Sequence, residues 1–331
     1  MNLDSMAEIV TAARREGKRF WEIILETDME NRGVSRTESM EKMAKNWHTM
    51  KEASEVYTGD RRSLSGMAGG QGKLMHEYAA KAPIGGEFIA QVIAEALAMG
   101  ESNACMRRVV AAPTAGACGV LPAVLIPLYW RENLPEEKIL EAMFTASGVG
   151  AVIAYRACIS GAAGGCQAEI GAASAMAAGA LVCLRGGTPE QLCHAVAMAL
   201  KNLMGLACDP VAGLVEVPCI KRNVVGAVNA VAAADMALAG IESRIPADEV
   251  IGAMGEVGRR LPVEFRETAL GGLAATPTGK AVKKQLHGDK KKQRTLTIKD
   301  SRWKLEKAGE PAAESSDAGA GGKSGTSRKD P

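Results

Sequence analysis

The sequence predicts an all-α fold, and three observations carry that prediction. Hydrophobic residues make up 47% of the 331 positions but aromatics only 4%. A core must therefore be assembled from Ala, Val, Leu, Ile and Met, whose small side chains let helices approach closely. Apolar residues recur at helical spacing in segment after segment, each broken by glycine or proline. The Val/Ile/Thr-rich alternation that a strand needs is scarce. At this length one large domain or two ordinary ones can form, and the uniform style of residues 1–280 points to a single large helical domain.

Taken in order, Ser5 to Met29 places Ile9, Val10, Ala13, Phe20, Ile23 and Ile24 on a helical stripe. After the break at Asn31–Gly33 the pattern resumes through "VSRTESMEKMAKNWHTMKEASEVY", with Ser35 or Thr37 as its cap. "SLSGMAGGQGKL", Ser63 to Leu74, is expected to be a glycine-rich loop, and "GGEFIAQVIAEALAMGESNACM" a helix. Further helices are expected over roughly 123–133, 135–145, 172–184, 189–206, 223–239 and 247–259. Those at Pro135, Pro189 and Ala247 open beside proline and acidic residues, which both suit a helix's first turn.

Charge divides the chain unevenly. The net charge of +2 combines a balance of +6 over residues 281–331 with −4 over residues 1–280. From residue 281 the chain turns polar and then Gly/Ser/Ala-rich, and it is expected to be a disordered tail, with at most a short helix near Trp303. Its lysines read as a solvated segment, not a nucleic-acid contact. "MNLDSMAEIVTAARREGKRF" has acids and bases where a secretory signal needs an apolar core. The uncharged run from Val109 to Trp130 is long enough to span a bilayer, but Pro113, Pro122 and Pro127 argue for a loop followed by a buried helix. The expectation is a cytoplasmic protein with no membrane segment.

Several motifs invite a chemical reading. "APTAGACG", Ala112 to Gly119, leaves backbone N–H groups reachable and adds the Thr114 hydroxyl, an arrangement suited to a carboxylate. A tight helix–helix connection with glycine at positive φ accounts for the same residues. "SLSGMAGGQGKL" lacks the spacing of a phosphate-binding loop, and Leu74 stands where a magnesium-binding hydroxyl is needed. A Schiff-base role for Lys73 lacks any second phosphate-binding feature. His194 adjoins Cys193, but neighbours on a helix point in different directions.

Eight cysteines in a cytosolic chain argue against structural disulfides, and no CxxC pair occurs. Any one of them alone reads as a small buried hydrophobe. Cys166 follows Gly164–Gly165, Cys208 precedes Asp209–Pro210, and Cys219 follows Pro218. All three stand at helix-breaking positions, where sulfur can point into a cavity. Cys105, Cys158, Cys183 and Cys193 lie within or at the ends of helical patterns, and Cys118 fits neither group.

The stretches "GAAGGCQAEIGAASAMAAGALV", "NLMGLACDPVAGLVEVPCIKRN", "APTAGACGVLPAVL" and "SRTESMEKMAKNWHTMKEA" together closely resemble the iron–sulfur-dependent L-serine dehydratases. The match is to their α subunit, or to the corresponding catalytic half of the single-chain forms, and covers roughly Ser35 to Lys280. The resemblance implies a helical catalytic domain over residues 1–280 and a [4Fe–4S] cluster on Cys166, Cys208 and Cys219. It puts the substrate loop at Pro113, Thr114, Ala115 and Gly116. Clusters are normally held by four thiolates, so three leave one iron open. That suits the reaction, since eliminating water from L-serine expels hydroxide, whose conjugate acid has a pKa of about 15.7. Glycine around Cys166 gives steric room for such a group. The family's β half carries a Ser-Ser-Ser-His-Thr-type motif that this chain lacks, which implies a separate β subunit. Some members end in a cysteine near the cluster, whereas here none follows Cys219. The sequence assigns no general base. A related enzyme eliminating sulfide from L-cysteine and a non-enzymatic helical scaffold are the alternatives.

Overall fold

A computed structural model of the chain describes residues 4–288. Among these, helices account for nearly all regular structure, and the only β pairing is an isolated parallel bridge between Cys208 and Arg266. The helices are α1 (Met6–Glu16), α2 (Phe20–Arg32), α3 (Arg36–Glu55), α4 (Gln71–Ala79), α5 (Gly86–Ala104), α6 (Val120–Glu132) and α7 (Glu136–Arg156). They continue as α8 (Gly161–Gly164), α9 (Ala172–Leu184), α10 (Pro189–Leu203), α11 (Cys219–Leu238), α12 (Ala247–Arg260) and α13 (Pro277–Gly288).

Local chemistry sets many of the boundaries. The first predicted stripe is two helices, because Gly17 turns left-handed (φ 63°) and closes α1, as Gly33 closes α2. Ser35, not Thr37, caps α3 in a reciprocal box with Glu38. Thr188 and Gln191 do the same for α10.

The core is organised around α9, buried at every position from Ala172 to Val182. A helix apolar all round belongs inside a fold, and α6, α7, α10 and α11 pack against it. Its neighbours come close because glycine faces them. A Cβ on Gly150 would lie 2.9 Å from Met176 Sδ, and one on Gly148 would lie 2.5 Å from Ile24 Cδ1. This explains why α7 continues to Arg156 instead of stopping near Thr145. The glycines that read as breakers are the contact points for α9 and α2. Two helical stretches, Glu136–Arg156 and Gln167–Leu184, are long and apolar enough to cross a membrane, yet most of their residues are buried inside the protein. The run from Val109 to Trp130 is a loop followed by the buried α6, as expected.

Two further expectations need correcting. Residues 71–74 belong to α4, not to the glycine-rich loop, because Glu101 caps that helix from a distant part of the chain, as described below. Helix α13 also runs through 281–288, eight residues into the expected disordered tail. The remainder of the expected tail, with Trp303, lies outside the described residues.

A cleft of about 640 Å³ lies between α3, α4, α5 and α6, lined by Tyr57, Lys73, His76, Glu95 and Trp130 among others. None of the predicted site residues lines it. Ser54 donates to Glu95 Oε2 (2.9 Å), while Oε1 is shielded from solvent without a hydrogen-bond partner. Burial pushes this carboxyl from 4.5 up to about 7. The unfolded chain therefore ionises first, and stability falls as pH rises between those values and levels off above them. Glu95→Gln should remove that slope, stabilising the protein by about 3 kcal/mol at roughly pH 8 and by almost nothing at about pH 4. Urea unfolding at the two pH values measures the difference, and parallel curves would refute it.

Candidate metal centre

The loop after α7 delivers Cys166 in a confined setting. Gly165 adopts φ 76°, ψ −179°, a conformation open essentially to glycine alone, and a Cβ there would lie 2.7 Å from Leu261 Cδ1. The chain then makes a single π turn, Gln167–Gly171, before entering α9. Such turns recur at functional sites. This one places Glu169 on the same side as Cys166.

Cys208 arrives from another direction. Its N–H donates to Phe265 O (2.8 Å) and its carbonyl accepts from Glu267 N (2.9 Å), which fixes the backbone on both sides of the sulfur. Cys219 is the first residue of α11, four residues ahead of the predicted start.

Cys166, Glu169 and Cys208 present ligand atoms that all lie within 4.8 Å of one another. Cys219 stands outside this tight group but close enough for its charge to act on Cys208. Two of the three predicted thiols thus meet, joined by an unpredicted carboxylate, with the third beside them. Both Cys166 and Cys208 are 2% exposed and Cys219 is 8% exposed. Gly161 keeps the space clear, since a Cβ on it would sit 2.7 Å from Glu169 Oε2 and 3.2 Å from Cys208 Sγ.

The other five cysteines are not part of this group. Cys118 is buried and directs its thiol at Met99 O, while Cys105, Cys158, Cys183 and Cys193 are half-buried free thiols. His194 accepts from Ser243 N (3.2 Å), a structural role.

The loop at residues 113–116 borders the same site. Thr114 Oγ1 donates to Glu169 Oε1 (2.8 Å). Ala115 opens a 3₁₀ turn and is exposed, whereas Pro113, Thr114 and Gly116 are half-buried. Gly116 stands beside the Glu169 carboxylate, where a Cβ would lie 3.2 Å from Oε1, and its carbonyl accepts from Asn223 Nδ2 (2.8 Å). Asn223 also accepts from Gly119 N (2.9 Å), tying this loop to α11.

The electrostatics suit a cation. The neighbouring Cys208 thiol holds the Cys166 pKa down, helped by Arg222, and the same proximity together with burial pushes Cys208 up. Burial raises Glu169, and pushes Cys219 up to about 12. Soft sulfur donors and a carboxylate, desolvated together with the intervening space stripped of side chains, fit a metal group that compensates their negative charge. Arg222 is the cation bonded directly to this set. Its Nη1 donates to Cys166 Sγ (3.3 Å) and Ala207 O (2.7 Å), and its Nη2 to Asp209 Oδ1 (2.7 Å).

The glycine-rich loop supports the site from outside. Glu216, three residues before Cys219, is buried and accepts from Ser63 Oγ (2.8 Å) and Ser65 Oγ (2.5 Å). Glu101, only 1% exposed, accepts from Gly69 N (3.2 Å), Gln71 N (2.9 Å) and Gly72 N (3.3 Å), and also from the Tyr57 hydroxyl. An internal carboxylate therefore takes the amides that a phosphate would otherwise occupy, and no nucleotide role is left for the loop. Lys73 faces Asp60 at 3.7 Å on the surface.

Residues 15–274 match the family described as "Serine dehydratase alpha chain". The chain belongs to that family. Within it, the chain is 44% identical over 285 residues to the probable L-serine dehydratase, alpha chain, of Bacillus subtilis (strain 168), covering 86% of this chain and 95% of that one. Identity to the L-serine dehydratase, alpha chain, of Peptoniphilus asaccharolyticus is 41% over 284 residues, covering 85% and 97%. The L-serine dehydratase TdcG of Escherichia coli (strain K12) is 48% identical over 181 residues, 54% of this chain but only 40% of that longer protein.

For this serine dehydratase α chain, sequence reasoning named Cys166, Cys208, Cys219 and the 113–116 loop as candidates and did not single out Glu169, Asp209 or Arg222, which lie among them. A usable signal was present for two of them. Glu169 is three residues beyond Cys166 and Arg222 three beyond Cys219, one helical turn in each case.

Proposed function

We propose that this chain is the α subunit of an iron–sulfur L-serine dehydratase. Together with a β subunit it eliminates water from L-serine to give 2-aminoacrylate, which tautomerises and hydrolyses to pyruvate and ammonia. The observation that carries the reading is the convergence of Cys166, Cys208 and Glu169 beside Thr114, in a chain of the serine dehydratase α family.

Cys166, Cys208 and Cys219 are the residues that would hold a [4Fe–4S] cluster. Such a cluster, held by three thiolates, would supply a Lewis-acidic iron to take up the charge developing on the 3-hydroxyl of serine. The chain's own residues do the rest. Glu169 is the carboxylate that faces the thiols and the 113–116 loop together, and it is our assignment for the base that takes the Cα proton. Thr114 orients it through its hydrogen bond. The turn that opens at the exposed Ala115 offers an accessible backbone edge to the substrate carboxylate, while the Ala117 N–H donates to Thr114 O (3.2 Å). The absence of a Ser-Ser-Ser-His-Thr string from this chain, and the family's designation as an alpha chain, support a β subunit completing the site. Eight free cysteines favour the reducing cytoplasm.

The test is anaerobic purification with iron and sulfide analysis, followed by pyruvate assays from L-serine and from L-cysteine, with and without a β subunit. The expected result is a brown protein forming pyruvate from serine when the β subunit is present. Pyruvate from cysteine alone would establish a desulfidase, and a folded, iron-free protein would leave only a scaffold.

A further inference from the structure

We propose that Arg222 is a positioning residue for the metal centre. Held by Asp209, it donates a hydrogen bond into the Cys166 sulfur, raising the reduction potential of an iron–sulfur group bound there and slowing its destruction by oxygen. The inference rests on the cluster reading above and goes beyond it, because it concerns a residue that holds no metal.

Geometry carries the argument. The guanidinium fork is fully used on this side, with one nitrogen shared between Cys166 Sγ and Ala207 O and the other on Asp209 Oδ1. Asp209 is 5% exposed and the Arg222 side chain 15% exposed, so the ion pair is sheltered from solvent and fixed in direction. The far side of Asp209 is fixed as well, since Oδ2 accepts from Leu273 N (2.8 Å). A Cβ on Gly272 would lie 2.2 Å from that oxygen, so glycine allows the 271–273 segment to close over the carboxylate. Arg222 thus reaches the sulfur of one thiol while its partner, Asp209, directly follows another.

Charge accounts for the function. Three thiolates on a dicationic cluster leave a net charge of −1, and Glu169 and Asp209 add further negative charge close by. Each electron gained makes such a group more anionic. A directed N–H donor and a fixed positive charge stabilise the reduced form, and hydrogen bonds to cluster sulfur are among the levers that set potential. Removing Arg222 lowers the potential and eases oxidation by dioxygen.

Two variants test this on the full chain, loaded with iron and sulfide under anaerobic conditions. Arg222→Lys keeps the charge but loses the fork. Arg222→Gln combined with Asp209→Asn removes both charges and leaves no unpaired carboxylate. Circular dichroism checks folding, and Arg222→Lys carries the test if the double variant does not fold. The readouts are the midpoint potential from an electron paramagnetic resonance titration and the rate of bleaching in air. The double variant should show a lower potential and bleach roughly 10–100-fold faster than the parent, with Arg222→Lys in between. Folded variants that no longer retain the cluster would also support the assignment. Fully loaded variants with unchanged potential and bleaching rate would overturn it. If the unaltered chain takes up no iron and sulfide, the failure lies with the cluster reading itself.

Discussion

Alanine at Cys166, Cys208 or Cys219 is expected to give a folded but colourless protein without serine turnover, whereas Cys183→Ala keeps both colour and activity. Removing one small thiol from an alanine-rich interior costs the fold little beyond about 1 kcal/mol. The loss is therefore one of metal, not of structure. Cys183 is a half-buried free thiol at the end of α9, where burial raises its pKa, and among the described residues it belongs to no group of three or more metal-ligating side chains. Iron and sulfide content, read beside circular dichroism, decides the matter. Cys219→Ala is the most informative of the three, because its sulfur stands outside the 4.8 Å group that contains Glu169. Full iron content in that variant would move the third ligand position to Glu169.

Glu169→Gln is expected to keep the colour and reduce kcat by roughly 10²–10⁴, the usual contribution of a positioned base. Glutamine has nearly the same shape and still offers an oxygen to the Thr114 hydroxyl, but it cannot take a proton from Cα. KM for serine should change much less than kcat, since the substrate carboxylate is assigned to the 113–116 turn. A bleached Glu169→Gln protein would instead make this carboxylate a metal ligand, and unchanged turnover would require another base.

The helices were readable in the sequence wherever their ends are decided locally. The bounds of α9, Ala172–Leu184, follow from composition alone, and Ser35 announces α3 through its box with Glu38. Reading failed where a distant group sets the boundary. The cap of α4 comes from Glu101, about thirty residues further along the chain, and the glycines within α7 make sense only once α2 and α9 lie against them. The centre divides in the same way. Helix-breaking positions set Cys166, Cys208 and Cys219 apart before any coordinates are known, and the resemblance to the serine dehydratases is what makes them candidate ligands. Glu169 and Arg222 are of residue types too common to stand out, and Arg222 finds Cys166 across 56 positions. Only folding reveals that pairing.

The backbone hydrogen bonds that Cys208 exchanges with Phe265 and Glu267, and the hold of Leu273 on Asp209, bear on how far the chain could be shortened. A fragment ending before Phe265 would retain every cysteine, yet lose the backbone brace on one thiol and the anchor of the carboxylate behind another. Residues 261–276 have little regular structure and look expendable to anyone trimming a gene. They are better regarded as a buckle, without which the sulfur atoms have no reason to face one another.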